Sequence, residues 1–287
     1  MELMESTRKK AESPALRMIA WEVTRSCNLS CIHCRAAAER GPYPNELSTD
    51  ECKKLLREIA EFARSTIILT GGEPLMRKDI FDIASCGSGP GLRMVMAPNG
   101  TLVTPDISRR LVKVGIQRIS ISLDAASAEK HDAFRGVPGA FEGALSGIRA
   151  AREAELPFQI NSTITRINHD QLEGILKMAV DFGATALHIF LLVPTGRAEE
   201  MKDQELSPEE YEKTLHWFYD QRERAPLALK ATCAPHYYRI LRQRARQEGK
   251  TVTPQSHGLD AVTRGCLGGI SFCFISHIGT VQPCGYL

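Results

Sequence analysis

No apolar run in this 287-residue sequence approaches the ~18 residues that a membrane-spanning helix needs. Residues 1–14 are charged and lack the apolar core of a signal peptide. The formal net charge is only +2, so no overall field favours nucleic acid as a partner. Internal repeats and low-complexity segments are also missing. We therefore expect a cytoplasmic globular protein that binds neither membranes nor nucleic acid.

Cysteine, by contrast, is abundant, with nine residues in a chain that shows no signal peptide. A disulfide framework is typical of much shorter, secreted chains. Most of the nine fall into two groups, near the start and near the end of the chain: Cys27, Cys31 and Cys34, and Cys266, Cys273 and Cys284. In a reducing compartment, such groups indicate metal ligands rather than disulfides.

Between residues 17 and 192, short β-branched runs alternate with amphipathic stretches. The runs predict six strands, at residues 18–23, 66–70, 93–97, 118–123, 158–165 and 186–192. The stretches predict helices at residues 49–63, 105–114, 141–154 and 170–182. Because parallel strands need crossover connections, this alternation predicts an open, partial (β/α)6 barrel of the TIM type. Such a barrel places its chemistry at the C-terminal ends of its strands.

After residue 192 the pattern changes. We predict two more helices at residues 208–224 and 236–247, with an extended piece at 227–233 between them. A β-hairpin that turns at Gly279 is predicted at residues 270–276 and 280–283. The predicted organisation is an N-terminal tail, a barrel and a C-terminal extension, at residues 1–15, 16–230 and 231–287.

The segment Cys27-Asn-Leu-Ser-Cys31-Ile-His-Cys34 directly follows the first predicted strand. Three thiolates on one loop can each bind one iron of a [4Fe–4S] cluster, which usually takes four cysteines. With three ligands, one iron stays open to a substrate, as in catalytic metal sites. The cysteine spacing alone also suits a zinc site, for which His33 is the nearest further ligand.

A second segment, Thr70-Gly71-Gly72-Glu73-Pro74, directly follows the second strand. Its glycines let the backbone approach a ligand closely. Together the two segments resemble the radical S-adenosylmethionine (SAM) superfamily. The resemblance implies that the three cysteines hold the cluster, that Gly71, Gly72 and Glu73 hold the methionyl amino group of SAM, and that His33 lies near the adenine.

The same resemblance implies further SAM contacts, from Asn99 after the third strand and from Ser122 and Asp124 at the end of the fourth. It also implies that Arg135 pairs with the SAM carboxylate. From the residues alone, Arg135 is equally well explained as a solvent-exposed loop arginine.

Near the end of the chain, Cys266 is followed by twelve residues, Gly279, four residues and Cys284. This spacing resembles the start of the SPASM extension, which implies an auxiliary [4Fe–4S] cluster. The alternative is a pair of buried structural cysteines. Cys273 is either a further ligand or a core residue. Since the SPASM pattern continues with more cysteines and this sequence stops at Leu287, we expect an extension that is either truncated or atypical.

Longer stretches resemble a narrower group, the heme b synthases of the siroheme-dependent heme pathway: residues 21–31, 96–101, 188–197, 230–239 and 265–269. This resemblance implies an oxidoreductase that decarboxylates two propionates of Fe-coproporphyrin III to vinyl groups, through a 5′-deoxyadenosyl radical. It further implies a ferredoxin- or flavodoxin-type electron donor, and we expect a monomer.

Carboxylates of such a substrate need cations, and residues 236–250 supply five against one acid, Glu248. The predicted substrate residues are therefore His236, Arg239 and Arg242. The alternative is a solvated basic helix.

Two rival functions remain. One is a radical SAM maturase that modifies a peptide or another cofactor precursor. The other is a non-catalytic iron–sulfur electron carrier, against which Gly71-Gly72-Glu73 counts.

Overall fold

In the computed structural model, which describes residues 16–261, 263 and 265–287, nine strands form one sheet. The predicted N-terminal tail, residues 1–15, lies outside the described residues. The strands are β1 Met18–Thr24, β2 Thr66–Gly71, β3 Arg93–Met96, β4 Ile119–Ser122, β5 Phe158–Ile164, β6 Ala186–Leu191, β7 Ala228–Thr232, β8 Phe272–Ile275 and β9 Val281–Gln282. Their order is β7-β6-β5-β4-β3-β2-β1-β8-β9, and every neighbouring pair is parallel except β8 and β9.

Helices connect the parallel strands. They are α1 Thr49–Phe62, α2 Ile80–Ser88, α3 Pro105–Lys113, α4 Ala128–Arg135, α5 Ala140–Glu153, α6 Leu172–Asp181, α7 Pro208–Arg222, α8 Tyr237–Gln247 and α9 Pro254–His257. Helices α1 and α7 begin with capping boxes, at Ser48 with Glu51 and at Ser207 with Glu210, which satisfy the free N–H groups of the first turn. Among the described residues, no helix has the length and apolar character needed to cross a membrane.

Each strand of the sheet presents alternate residues to opposite faces. One face packs against the helices through a continuous buried core that includes Trp21, Ile67, Met94, Ile121, Ile160 and Leu187. The opposite face, which we call the open face, carries polar residues that include Glu22, Ser122, Asn161, His188 and Lys230. Sites for ligands therefore lie on the open face and at the C-terminal ends of the strands.

The predicted partial α/β barrel is confirmed, with all six predicted strands in sequential parallel order. Two features of the sheet differ from the prediction. The extended piece at 227–233 forms β7, which adds a seventh parallel strand beside β6. The predicted hairpin exists as β8 and β9, but β8 pairs in parallel with β1 and so continues the barrel sheet.

Candidate functional site

The three N-terminal cysteines lie on the loop that follows β1. The loop folds back on itself, because the Cys27 N–H donates to the Glu39 carbonyl at 2.7 Å and the Cys34 N–H donates to the Cys31 carbonyl at 3.2 Å. Cys27 and Cys31 are each 8% exposed, and Cys34 is half-buried. All three pack in one apolar cluster with Leu29, Ala36 and Ala38.

Arg197, just after β6, fixes the cysteine loop. Its Nε donates to the Cys31 carbonyl and its Nη1 to the Ala38 carbonyl, both at 2.8 Å. Its backbone N–H donates to the Cys34 carbonyl at 3.0 Å. Sequence reasoning gave Arg197 no role, although it lies at the end of the 188–197 stretch that carries the narrower resemblance.

The thiols of this loop suit an iron–sulfur cluster. Burial raises the pKa of Cys27 to about 11, so its thiolate form requires the positive charge of bound metal. Within the part of the chain that the structure describes, no three Cys, His, Asp or Glu side chains converge on a single metal ion. Ligands of a cluster bind different irons and are spaced more widely than the ligands of one ion. The three cysteines therefore fit a cluster with three protein ligands.

The Gly71-Gly72-Glu73 segment packs directly on the chain that leads into the cysteine loop. The Gly72 N–H donates to the Thr24 carbonyl at 2.9 Å, and the Glu73 N–H donates to the Ser26 carbonyl at 2.8 Å. A Cβ on Gly72 would lie 2.4 Å from the Ser26 carbonyl oxygen. The glycines thus allow two backbone segments to approach each other closely, whereas the sequence predicts a close approach of the backbone to a ligand. The N–H groups of Gly72 and Glu73 are therefore already hydrogen-bonded within the protein.

Glu73 is fully buried behind this segment. Its carboxylate accepts from the Leu75 N–H at 3.0 Å and from the Asn99 N–H at 2.6 Å. Burial nevertheless raises the pKa of Glu73 to about 7. Such a carboxylate gains most from a cationic ligand, and the ammonium group of SAM is one.

The Asn99 side chain is occupied within the protein. Its Nδ2 donates to Asn28 Oδ1 at 2.8 Å, and its Oδ1 accepts from the backbone and hydroxyl of Thr101. Asn28 lies next to Cys27 and donates in turn to Thr101 Oγ1. Asn99 thus connects the loop after β3 to the cysteine loop, and its backbone N–H holds Glu73.

Two predicted SAM contacts, Asp124 and Arg135, form a buried ion pair with each other at 2.5 Å. Burial opposes ionisation of Asp124, but the Arg135 guanidinium holds the pKa of this carboxyl below its usual range. Arg135 ends helix α4, so it is not the exposed loop arginine that was the alternative. Its Nη1 also lies 3.7 Å from Cys31 Sγ, while its buried Nε has no hydrogen-bond partner among the described residues. Ser122 is half-buried at the end of β4.

The imidazole of His33 stacks on the Phe134 ring, with centroids 4.2 Å apart. Burial lowers the pKa of His33 to about 3, so the ring is neutral. Its buried Nδ1 has no partner in the described chain. A flat, neutral ring with an unsatisfied nitrogen suits contact with a nucleobase. Beside the loop, an open pocket of about 380 Å³ is lined by Cys27, Asn28 and Arg197, among others.

The C-terminal cysteines form a second group at the other side of β1. A Cβ on Gly268 would lie 3.4 Å from Cys266 Sγ and 3.7 Å from Cys284 Cβ, so these two predicted ligands are neighbours. Sequence reasoning missed a third member, Cys233, whose pKa is raised by burial and also by the nearby thiols of Cys284 and Cys266. Cys273 pairs in register with Ile19 and packs against the helix-side core, so it does not join this group.

The predicted substrate residues on α8 already have protein partners. Arg239 forms an ion pair with Glu212 of α7, and Arg242 donates to the carbonyls of Tyr238 and Thr263. The ring of His236 packs edge-on against Tyr211, with centroids 5.2 Å apart. Arg239 and Arg242 therefore already have partners on α7 and in the backbone, and their role as a clamp for carboxylates stays a prediction from the sequence.

Comparison with known proteins agrees with this geometry. The sequence profile of the radical SAM superfamily matches residues 21–179. The AdoMet-dependent heme synthase of Nitratidesulfovibrio vulgaris is 57% identical over 275 residues, which cover 96% of this chain and 75% of that protein. The one from Methanosarcina barkeri is 50% identical over 277 residues, covering 96% and 79%.

Among solved structures, SuiB of Streptococcus suis bound to its precursor peptide SuiA matches with a TM-score of 0.72 at 16% identity. The match covers 95% of this chain, which spans 60% of the SuiB chain, and it shows a shared fold. The sequence profile and the identity to the two heme synthases show the family as well as the fold. The chain belongs to the radical SAM superfamily.

Proposed function

We propose that this radical SAM enzyme converts two propionate side chains of Fe-coproporphyrin III to vinyl groups, which forms heme b. The observation that carries the proposal is identity of 50% or more to two AdoMet-dependent heme synthases across 96% of the chain. The substrate is a small tetrapyrrole with four carboxylates. The expected ferredoxin- or flavodoxin-type donor and the monomeric state stay predictions from the sequence.

Cys27, Cys31 and Cys34 would hold the radical-generating cluster, and Arg197 keeps their loop closed by binding its carbonyls. When bound, the cluster and SAM supply a 5′-deoxyadenosyl radical that takes a hydrogen atom from the propionate. Arg135 sits against both the Cys31 thiol and Asp124, so it fixes the cysteine loop relative to the end of β4.

The SAM site would be formed by groups around this loop. The buried Glu73 carboxylate would receive the ammonium group, together with the backbone of Gly71 and Gly72. The neutral His33 ring contacts the adenine, and Ser122, Asp124 and the unpartnered Arg135 Nε contact the ribose and the carboxylate. Asn99 acts by holding Glu73 and Asn28 in place.

The second group of cysteines would serve electron transfer. Loss of CO2 from the substrate radical leaves a vinyl group and one electron, which needs an acceptor. We propose that Cys266 and Cys284, together with Cys233, bind an auxiliary [4Fe–4S] cluster that takes this electron. The proposal is supported by Gly268, which neighbours both Cys266 and Cys284, and by Cys233, which lies near enough to these two thiols for their charges to raise its pKa.

The test is anaerobic incubation of the reconstituted protein with SAM, dithionite and Fe-coproporphyrin III, followed by mass analysis of the tetrapyrrole. We expect stepwise loss of CO2 and two hydrogens from two propionates, with about one 5′-deoxyadenosine per vinyl group formed. SAM cleavage without any change in the porphyrin would contradict the substrate and favour a peptide-modifying maturase. Absence of SAM cleavage would favour an electron carrier.

A further inference from the structure

A row of polar residues crosses the open face of the sheet at one level. Strand register places Ser122 of β4, Asn161 of β5, His188 of β6 and Lys230 of β7 side by side. All four are half-buried. With strands about 4.8 Å apart, the row spans roughly 14 Å from Ser122 to Lys230. It lies two residues before Asp124, just inside the mouth of the barrel where the SAM site is proposed.

Arg118 extends this row toward the other end of β4. Its side chain is on the open face, since Nη1 donates to Gln159 Oε1 at 3.3 Å and Gln159 in turn contacts His188 Nδ1 at 3.0 Å. Gln159 also donates to Asn161 Oδ1 at 2.9 Å. Arg118, Gln159, Asn161 and His188 thus form one connected polar surface, with Lys230 beside it.

This surface is cationic and has no acidic partner within the described residues. Among residues 16–261, 263 and 265–287, neither Arg118 nor Lys230 forms an ion pair with an acidic residue. The charged groups that act on His188 are Lys230 and Arg118, and the one that acts on Arg118 is Arg93, also a cation. Burial and these two cations lower the pKa of His188 to about 3, so its ring is neutral.

One buried atom on this surface is left unsatisfied. Arg118 Nε is inaccessible to solvent and has no hydrogen-bond partner in the described chain. Buried donors in native proteins almost always have a partner, so an unsatisfied Nε is costly. Repulsion between unneutralised cations adds to this cost. An anionic ligand removes both penalties, since carboxylates bind guanidinium and ammonium groups strongly.

We propose that Arg118 and Lys230 bind carboxylates of the substrate on the open face, with His188 and Asn161 as neutral hydrogen-bonding partners. This inference rests on the proposed function and gives it a carboxylate-binding site inside the barrel. The contrast with α8 supports the choice. Arg239 has an acidic partner already, whereas Arg118 and Lys230 have none in the part of the chain that the structure describes.

The test is titration of the full-length reconstituted protein with Fe-coproporphyrin III, followed by the Soret shift. Lys230→Met and Arg118→Met keep most of the side-chain volume and remove the charge. We expect each to weaken binding about tenfold or more, since a hydrogen bond between charged groups is lost. Arg118→Lys should recover part of the loss. The matched control is Lys213→Met, which removes an exposed lysine on α7 and should leave binding unchanged.

A second probe separates carboxylate recognition from ring binding. The tetramethyl ester of Fe-coproporphyrin III has no anionic groups, so it should bind wild type weakly and should not distinguish wild type from the two methionine variants. Wild-type binding with no loss in either variant overturns this inference alone. No binding of Fe-coproporphyrin III by wild type overturns the inference and the proposed function together.

Discussion

At the level of single residues, the Arg135 guanidinium joins two groups that are far apart in the sequence. It pairs with Asp124 after β4 and also lies within 3.7 Å of the Cys31 sulfur. A planar guanidinium can satisfy both partners at once, which the single ammonium of a lysine does less well. The cysteine loop and the end of β4 therefore depend on one side chain for their relative placement.

The cysteine loop gives a first prediction at this scale. Replacing Cys27, Cys31 or Cys34 with alanine should remove the radical-generating cluster, because each thiol is expected to bind its own iron. Iron analysis should show a loss of about one cluster, and 5′-deoxyadenosine should become undetectable. Cys86→Ala is the control, since Cys86 lies on α2 outside this loop and should change neither quantity. Normal SAM cleavage by a triple variant would refute the assignment.

Glu73 gives a second prediction, which concerns pH. Its pKa is raised by burial from an ordinary 4.5 to about 7, so the carboxyl is increasingly protonated below pH 7. If the SAM ammonium needs the carboxylate, the SAM dissociation constant should rise about tenfold per pH unit as pH falls below 7. Calorimetry between pH 5.5 and 7 should show this slope in wild type and in the exposed control Glu61→Gln, but not in Glu73→Gln.

The raised pKa of Glu73 also makes the stability of the fold depend on pH. Because the folded-state pKa lies above the ordinary value, the protonated form favours folding below pH 4.5, and this contribution disappears as pH rises through 7. Glu73→Gln should therefore stabilise the SAM-free protein at pH 8 more than at pH 5. Equal effects at both pH values would show that Glu73 is already ionised at pH 5.

At the level of elements, the end of β2 and the start of the cysteine loop are built as one unit. The N–H groups of Gly72 and Glu73 donate to the carbonyls of Thr24 and Ser26, so the backbone after β2 supports the backbone after β1. This contact leaves no space for a side chain at Gly72. The two segments recognised separately in the sequence are therefore parts of one packed structure.

A third prediction follows from this contact. Gly72→Ala places a methyl group 2.4 Å from the Ser26 carbonyl oxygen and 2.5 Å from that of Arg25, so the cysteine loop must move. We expect a loss of stability of about 1–3 kcal/mol, as overpacking causes, together with reduced iron content. Thermal unfolding and iron analysis measure the two effects. Gly89→Ala is the matched control, because Gly89 has helical dihedrals and no neighbour closer than 3.8 Å.

Local signals explain which elements the sequence predicts. The β-branched runs that form strands and the cysteine loop are encoded by neighbouring residues, so both are recognisable without a structure. The sequence does not reveal the site roles of Cys233, Arg118 and Lys230, because each meets its neighbours only where distant segments of the chain pack together in the fold. The ion pair of Arg239 with Glu212, which is 27 residues away on another helix, is likewise not visible in the sequence, and the substrate role of Arg239 stays a prediction.

At the level of the whole molecule, the C-terminal hairpin connects the two groups of cysteines. Arg35, next to Cys34, donates from Nη1 to the Gly285 carbonyl at 2.9 Å, and Gly285 is next to Cys284. The same guanidinium pairs with the buried Glu22 of β1 at 2.6 Å. Since β8 also pairs with β1, the second cysteine group is attached to the strand that leads into the first. The two cysteine groups are therefore held on one rigid strand pair.

The final prediction tests whether the two groups of cysteines have different functions. If Cys233, Cys266 and Cys284 hold a cluster that accepts the electron released with CO2, their alanine variants should still cleave SAM, because the loop after β1 is intact. They should lose about one cluster of iron and form little or no vinyl product. The ratio of 5′-deoxyadenosine to product should therefore rise steeply, whereas Cys273→Ala, whose side chain faces the helix-side core, should keep the wild-type ratio and iron content.

The three cysteines are proposed as ligands on different grounds, so each variant tests a separate assignment. Cys266 and Cys284 are indicated by spacing and by proximity, but Cys233 is indicated by the structure alone, from β7 at the opposite edge of the sheet. If Cys233→Ala keeps full iron while Cys266→Ala and Cys284→Ala lose it, the cluster has ligands other than Cys233. If none of the three loses iron, the group is structural and the electron has another acceptor. We expect loss of iron and product in all three variants, with SAM cleavage retained.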